Sequence, residues 1–351
     1  MIRRFFAAII IVGVAAALLI IAWPNLFGLA GAPLVAQLVS VRAMSSALAL
    51  AAALTLALIA ILWPAARRFL AALALIAVVF AGVNIAVLST RGFGNESFPT
   101  RAPAEIAVLA WNTLGDAPGV DTIADLVITE QADIVVLPET SQATAVAIAE
   151  RTRDSGRPMW VYSIAFDAIA KARSTSVLVS VDLGEYRVDD TVGNTTVLPS
   201  IVLRPVDGTG PSIIGVHPVA PLPGELENWR ADLRWLHTVC RGEQVILAGD
   251  LNATPDHFRV GETAADSAVD SATDSAAASA GLGVGECRSA ALATGNGAVG
   301  TWPTRLPALL GAPIDHVLTT PDISVTGFRV ITSLDGAGSD HRPIVARLIL
   351  N

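Results

Sequence analysis

The sequence is short of charge, of lysine and of cysteine. Of its 351 residues only 15% are charged, while 53% are hydrophobic. The mean hydropathy of +0.58 is too high for an ordinary soluble enzyme of this length. Lysine occurs once, at Lys171, and the formal net charge is −8. That balance argues against a protein that grips nucleic acid through a basic face. With cysteine at Cys240 and Cys287 alone, a disulfide-rich scaffold and a cysteine zinc site are both excluded. The pair either forms one bridge or stays as two buried thiols.

What charge there is divides unevenly. The first hundred residues carry six arginines and one acid, Glu96, for a net +5; the remainder carries 17 basic and 30 acidic residues, for −13. This pattern joins a membrane part to an acidic soluble part. Phe5–Trp23, Ala43–Trp63 and Phe69–Leu88 are apolar on every face and about 20 residues each, enough to cross a hydrocarbon core. Trp23-Pro24 lacks the small residues of a signal-cleavage site, so three retained transmembrane helices are expected. Arg3, Arg4, Arg67 and Arg68 fall on one side of these spans and Arg42 on the other. The positive-inside rule then makes the N-terminus cytoplasmic and everything after about residue 90 extracytoplasmic, at a cell membrane. The expected organisation is a transmembrane region over 1–90, a Gly/Pro-containing linker over 91–103 and a soluble domain over 104–351.

The soluble part alternates strands and helices. Strands are expected at 105–112, 133–137, 159–166, 174–181, 196–204, 212–216, 244–248, 314–319, 324–331 and 343–350, with helices at 118–130, 141–153 and 225–240. Several middle strands follow one another without a helix between them, so the sheets should be mixed. The Ala/Ser/Asp/Thr stretch 262–280 has no large apolar residue to dock and reads as a low-complexity, solvated insertion.

Polar residues collect where these strands end: Trp111-Asn112, Pro138-Glu139, His217-Pro218, Gly249-Asp250-Leu251-Asn252, Ile314-Asp315-His316 and Ser339-Asp340-His341-Arg342-Pro343. Ligands in open α/β sheets lie beyond strand ends. Taken singly, Asn112 or Asp250 would more often be a turn residue and His217 a structural one. Side-chain alternation turns His316 away from Asp315, which excludes it from the set. His237 and His257 have no partner pattern and are expected at the surface.

In that order, the motifs resemble the endonuclease/exonuclease/phosphatase superfamily, whose members include DNase I-like nucleases, inositol-polyphosphate 5-phosphatases and neutral sphingomyelinases. The resemblance covers roughly Glu105 to Leu350. Three preceding spans are similar to a bacterial membrane-bound branch that includes phosphatase-like proteins associated with resistance to glycopeptide antibiotics. The resemblance implies an α/β four-layer sandwich, two mixed sheets flanked by helices, behind the three transmembrane helices. It implies that Asn112 and Glu139 bind Mg²⁺ (or Mn²⁺) and that His217 contacts the phosphate. Asp250 and Asn252 would position the nucleophile and the phosphoryl oxygens. Asp315 would orient His341, with Asp340 beside it, and Arg173 or Ser174 is a further phosphate-side candidate. Pro138 stands where the family often has Gln, and Leu114 where some nucleases carry an acid.

A hard cation held by one or two carboxylates suits phosphoester hydrolysis, with a water deprotonated by His341 or by Asp250. The expected function is a membrane-anchored, Mg²⁺-dependent phosphoric ester hydrolase, acting on a phosphate ester or pyrophosphate of an envelope lipid on the outer face. Its expected partners are the bilayer and a phosphorylated, lipid-linked substrate, not nucleic acid. The alternatives are an extracytoplasmic nuclease and a catalytically inactive, membrane-bound binding module.

Overall fold

The computed structural model describes residues 2–94, 98, 100–166, 168–262 and 282–351. Apart from Glu262, the segment expected as a solvated insertion lies outside the described residues. The chain divides into two compact units, Met1–Thr90 and Arg91–Asn351.

The first unit contains α1 (Ile2–Ala22), the short α2 (Val35–Ser40), α3 (Arg42–Leu62) and α4 (Arg67–Arg91). Helices α1, α3 and α4 are long and apolar enough to cross a membrane. At 1.5 Å per residue, 21 residues reach about 31 Å, the thickness of the hydrocarbon layer. Leu48, Leu54, Leu58 and Ile61 on α3 point outward, as a lipid-facing surface requires. Arg42 does not sit in solvent as a loop charge: it is buried, and its Nη1 donates to Asn84 Oδ1 at 2.5 Å and to the Ala22 carbonyl at 3.0 Å.

The second unit is built on two mixed sheets. One has the order β12-β13-β1-β2-β4-β3, from β1 (Ile106–Ala110), β2 (Ile134–Pro138), β3 (Met159–Ala165), β4 (Ser174–Ser180), β12 (Ile323–Val330) and β13 (Ile344–Leu350). The other has the order β5-β6-β7-β8-β11-β10-β9, from β5 (Tyr186–Val188), β6 (Ile201–Pro205), β7 (Ser212–Val216), β8 (Val245–Asp250), β9 (Gly283–Val284), β10 (Cys287–Ser289) and β11 (Asp315–Thr319). Pairing is parallel for β1/β2 and for β7/β8.

Strand periodicity sorts the core into layers. Ile106, Val108, Ala110, Ile134, Val136, Val177 and Val179 of the first sheet share one cluster with Ile201, Leu203, Ile213, Ile246, Ala248 and Val317 of the second. The intervening Leu109, Trp111, Val135, Leu137 and Leu178 pack with Ile123 and Val127 of α5 (Gly119–Glu130) and Ala145 and Ile148 of α6 (Gln142–Asp154). The sheets lie so close that a Cβ on Gly215 would come within 2.5 Å of Val177 Cγ2. On the second sheet's side, α7 (Leu226–Val239) buries Trp229, Leu233 and Leu236, and Trp229 Nε1 donates to the Asn252 carbonyl at 3.0 Å. Two sheets flanked by helices make the expected sandwich.

Differences from the sequence expectation are local. The strand expected from 196 begins at Ile201, because side chains take over the backbone groups before it. Thr196 N donates to Asp232 Oδ1 and Ser200 N to Asn194 Oδ1. The short β5, β9 and β10, and a one-turn α8 (Ala290–Ala293), give too little periodicity to read. His237 and His257 are buried, not at the surface. Each ring accepts a backbone hydrogen bond at Nδ1, from Gly285 N at 3.0 Å and from Thr254 N at 2.9 Å, which offsets part of the cost of burying it. Cys240 and Cys287 form a disulfide, with Cα atoms 5.8 Å apart.

Candidate active site

Strand directions bring the polar ends to one edge of the sandwich. β1 and β2 run parallel, and β13 runs antiparallel to β1, with Ile344 opposite Ala110. In the other sheet β7 and β8 run parallel, and β11 runs antiparallel to β8, with Asp315 opposite Asp250. Asn112, Glu139, His217, Asp250, Asp315 and His341 therefore all emerge at the same edge.

Asn112 joins the two sheets. Its Nδ2 donates to Glu139 Oε1 at 3.1 Å and to Asp250 Oδ2 at 3.0 Å, while its Oδ1 accepts from Leu114 N at 3.0 Å. Glu139 holds a left-handed backbone, φ 58°, uncommon outside glycine and costing on the order of 1 kcal/mol. Its amide donates to the Ser174 carbonyl at 2.8 Å, which fixes the turn. Burial raises its carboxyl pKa above the ordinary value; the Asn112 bond opposes this and the Asp250 charge adds to it.

Asp250 ends the strand in the Gly-Asp-Leu-Asn motif. Gly249 must be glycine: its φ is 139° and a Cβ there would lie 2.2 Å from the Val216 carbonyl oxygen. The Asp250 carboxylate accepts from Asn252 N at 2.8 Å and Asn252 Nδ2 at 3.2 Å. Its pKa is raised by burial, against the pull of His341. Asn252 also has a left-handed φ, 47°, and its Nδ2 donates to the Pro218 carbonyl.

His341 lies between acids. Its Nδ1 is 2.9 Å from Asp315 Oδ2, and its Nε2 is 3.7 Å from Asp250 Oδ2 and 3.9 Å from Asp340 Oδ1. Burial alone would lower its pKa, but the Asp315 and Asp250 charges outweigh it and push the imidazole up to about 10. His341 is therefore an imidazolium at neutral pH. His217 is the opposite case. It is buried with Nε2 3.8 Å from Glu139 Oε1, and burial takes its pKa down to about 4, so the ring is neutral. His217 Nδ1 and Asp315 Oδ1 have no hydrogen-bond partner among the described residues.

Every site residue named from sequence is brought to this edge. His316 turns away as expected: its Nε2 lies 2.9 Å from the Ala253 carbonyl and its ring packs edge-on against Phe258. Arg173 is exposed, and Ser174 spends its hydroxyl on the Lys171 carbonyl. Three supporting residues had no role assigned from sequence. Trp302 Nε1 donates to Asp340 Oδ2 at 2.8 Å. Ser339 Oγ donates to the Asn112 carbonyl at 2.6 Å and accepts from His341 N at 3.0 Å. Trp111 Nε1 donates to the His341 carbonyl at 2.8 Å. Ser339 and Trp111 stand inside quoted motifs; Trp302 stands in a loop with no local signal.

The donor set fits a divalent cation. Two carboxylates, Glu139 and Asp250, converge on one amide nitrogen, and no lysine or arginine pairs with either among the described residues. Burial raises the pKa of both carboxyl groups, and a bound divalent cation would offset that cost. Donor atoms of Asp250, Asp315 and His341 also lie within 4.8 Å of one another, but that group could hold an ion only with His341 neutral.

The family model for the Endonuclease/Exonuclease/phosphatase family matches residues 109–341. None of the curated proteins matches the chain. Among solved structures, D. rerio TDP2 complexed with single-strand DNA product is similar at a TM-score of 0.50 and 15% identity, over 70% of this chain and 99% of that one. An endonuclease/exonuclease/phosphatase from Beutenbergia cavernae gives 0.49 and 18%, over 71% and 72%. The 3′ phosphatase NExo from Neisseria, bound to a product DNA hairpin, gives 0.49 and 18%, over 69% and 98%.

Proposed function

Because this chain belongs to the endonuclease/exonuclease/phosphatase family, we propose that it is a membrane-anchored, metal-dependent phosphoesterase whose substrate is a phosphate ester or pyrophosphate of an envelope lipid. The observation that carries this reading is the Asn112 amide, which ties Glu139 of one sheet to Asp250 of the other, beside the Asp315–His341 pair.

Glu139 and Asn112 would hold Mg²⁺ or Mn²⁺; because Asn112 Nδ2 faces Glu139 and Asp250 while Oδ1 accepts from Leu114 N, its amide would turn over to present the oxygen to the ion. The Asp315–His341 hydrogen bond already occupies one donor from each of those residues, so the cation is assigned to the Glu139 side. When bound, the ion polarises a phosphoryl oxygen and steadies the leaving oxygen. The chain's own groups do the rest. Asp250, fixed by Asn252 N, accepts a proton from the attacking water. His341, with Nδ1 committed to Asp315, turns Nε2 toward the reacting centre and donates to the oxygen that gains charge. Asn252 and His217 complete the binding of the non-bridging oxygens. No covalent step is required.

Two observations favour lipid over nucleic acid. The residues from 101 onward carry a net −13, and Lys171 at this edge is paired with Asp116 Oδ2 at 3.0 Å. Three apolar helices attach the domain to a bilayer. The Cys240–Cys287 disulfide supports the extracytoplasmic side, where such bonds persist. Nucleic acid remains the second reading, because the D. rerio and Neisseria structures hold DNA.

The test offers the purified full-length protein a lipid pyrophosphate, a water-soluble phosphate ester and plasmid DNA, each with Mg²⁺ and with chelator. Metal-dependent release of phosphate from the lipid is expected. Nicking of DNA with no phosphate release would replace this reading by the nuclease one, and inactivity on all three would favour a binding module. Protease added outside spheroplasts tests sidedness: digestion of the domain after Arg91 is expected, and its protection would reverse the orientation.

A further inference from the structure

The loops around the site carry an unusual share of the exposed apolar side chains. Among the described residues of the second unit outside its strands and α-helices, large hydrophobic side chains are exposed at six positions: Leu114, Phe166, Ile169, Leu222, Leu309 and Val206. Val206 lies between β6 and β7, at the edge opposite the site. The other five leave from the site edge: Leu114 after β1, Phe166 and Ile169 between β3 and β4, Leu222 after β7, and Leu309 before β11. Scattered exposed hydrophobics would divide between the two edges; these do not.

Part of this rim forms one surface. The 166–171 loop is tied to the Leu114 loop by Lys171, whose Nζ reaches Asp116 Oδ2 at 3.0 Å and the Gly115 carbonyl at 3.5 Å. Ile169 N donates to the Phe166 carbonyl at 2.8 Å. Phe166 is 53% exposed and Ile169 70%, and neither has a core to fill. Arg342 on the neighbouring loop is fully buried and held by both oxygens of Asp335, so it adds no cation to the rim. An apolar margin around a polar, anion-binding floor is complementary to an amphiphile: a phosphate head with hydrocarbon beside it.

We infer that this rim, centred on Leu114, Phe166 and Ile169, is a lipid-contacting surface that seats the catalytic edge on a bilayer, so that the site takes phosphate groups at headgroup depth. The bilayer is the occupant chosen because the chain brings its own: three apolar helices long enough to span one. The contact itself stands on exposure and placement; its use in substrate selection rests on the phosphoesterase reading above.

Two measurements on the full chain in vesicles separate these. Both native cysteines are disulfide-bonded, so a Cys introduced by Ile169→Cys can be labelled alone with an environment-sensitive fluorophore, with Val206→Cys as the control at the opposite edge. Brominated lipids should quench the label at 169 and leave that at 206 bright. Equal, water-like emission from both would overturn the inference. So would a label at 169 that is shielded from water yet not quenched, because a protein would then be covering the rim. In the second measurement, Phe166→Ser combined with Ile169→Ser should lower kcat/KM for a vesicle-embedded phospholipid substrate about tenfold or more, while turnover of a water-soluble phosphate ester stays unchanged. Equal loss on both substrates would refute the selective role. If no phosphate ester is hydrolysed at all, the phosphoesterase reading has failed, and the quenching result still decides the contact.

Discussion

Asp250 and Asp315 stand directly opposite each other across β8 and β11, and their carboxylates approach the two nitrogens of a single imidazole, that of His341. Their roles differ. Asp315 makes the short bond to Nδ1 and orients the ring; Asp250, 3.7 Å from Nε2, shares with the ring the space where a water and a phosphoryl oxygen would sit. Asp315→Asn should therefore lower turnover by about 10²–10⁴ by misorienting the imidazole, with the fold retained. Steady-state kinetics on a phosphate ester checks this, and a rate within a few-fold of wild type would remove Asp315 from the mechanism.

The protonation of His341 has a consequence for stability. Its folded pKa of about 10 lies above the ordinary 6.5, so the folded state binds the proton more tightly. The stabilisation is fully present below about pH 6.5 and is lost as pH rises through about 10. Melting temperature should fall between pH 7 and 10 more steeply in wild type than in His341→Gln. Parallel curves would mean that His341 is neutral in the folded protein.

Trp302 acts through Asp340. Trp302→Phe keeps an aromatic ring but removes the indole N–H and its 2.8 Å bond, freeing a half-exposed carboxylate. We expect a loss of roughly tenfold in turnover, of the size a single neutral-to-charged hydrogen bond supports. In a double-mutant cycle with Asp340→Asn the two losses should not add. Full additivity would show that the two side chains work separately.

The disulfide joins cysteines 47 positions apart and closes a loop that includes Asp250 and Asn252. Replacing both cysteines by serine should cost about 2–4 kcal/mol in denaturant unfolding. Under non-reducing conditions, mass spectrometry of the native protein should find no free thiol. Two free thiols would withdraw the support the bridge gives to an extracytoplasmic domain.

Much of this was readable in the sequence because the signals were periodic or paired. The apolar runs at 105–112 and 133–137 marked strands, and the uncharged runs marked the spans. The site residues could be named because each stands beside the start or the end of an expected strand and their order resembles the family's motifs. What escaped depends on contacts distant in sequence. The burial of His237 and His257 follows from backbone donors at Gly285 and Thr254, and a histidine looks the same in sequence whether or not such a donor awaits it. Trp302 reaches Asp340 from 38 residues away. The orientation of the Asn112 amide, donating to two carboxylates, belongs to neither strand alone.

The most direct test of the account is phosphate release from a vesicle-embedded lipid pyrophosphate, measured over a Mg²⁺ titration after chelation, for wild type, Glu139→Gln and Asp250→Asn. Wild type should be silent in chelator and recover with Mg²⁺ or Mn²⁺. Glu139→Gln should need far more metal for what activity it keeps, and Asp250→Asn should stay about 10²–10⁴ slower at every concentration. Full wild-type activity in chelator, or undiminished activity in Asp250→Asn, would contradict it.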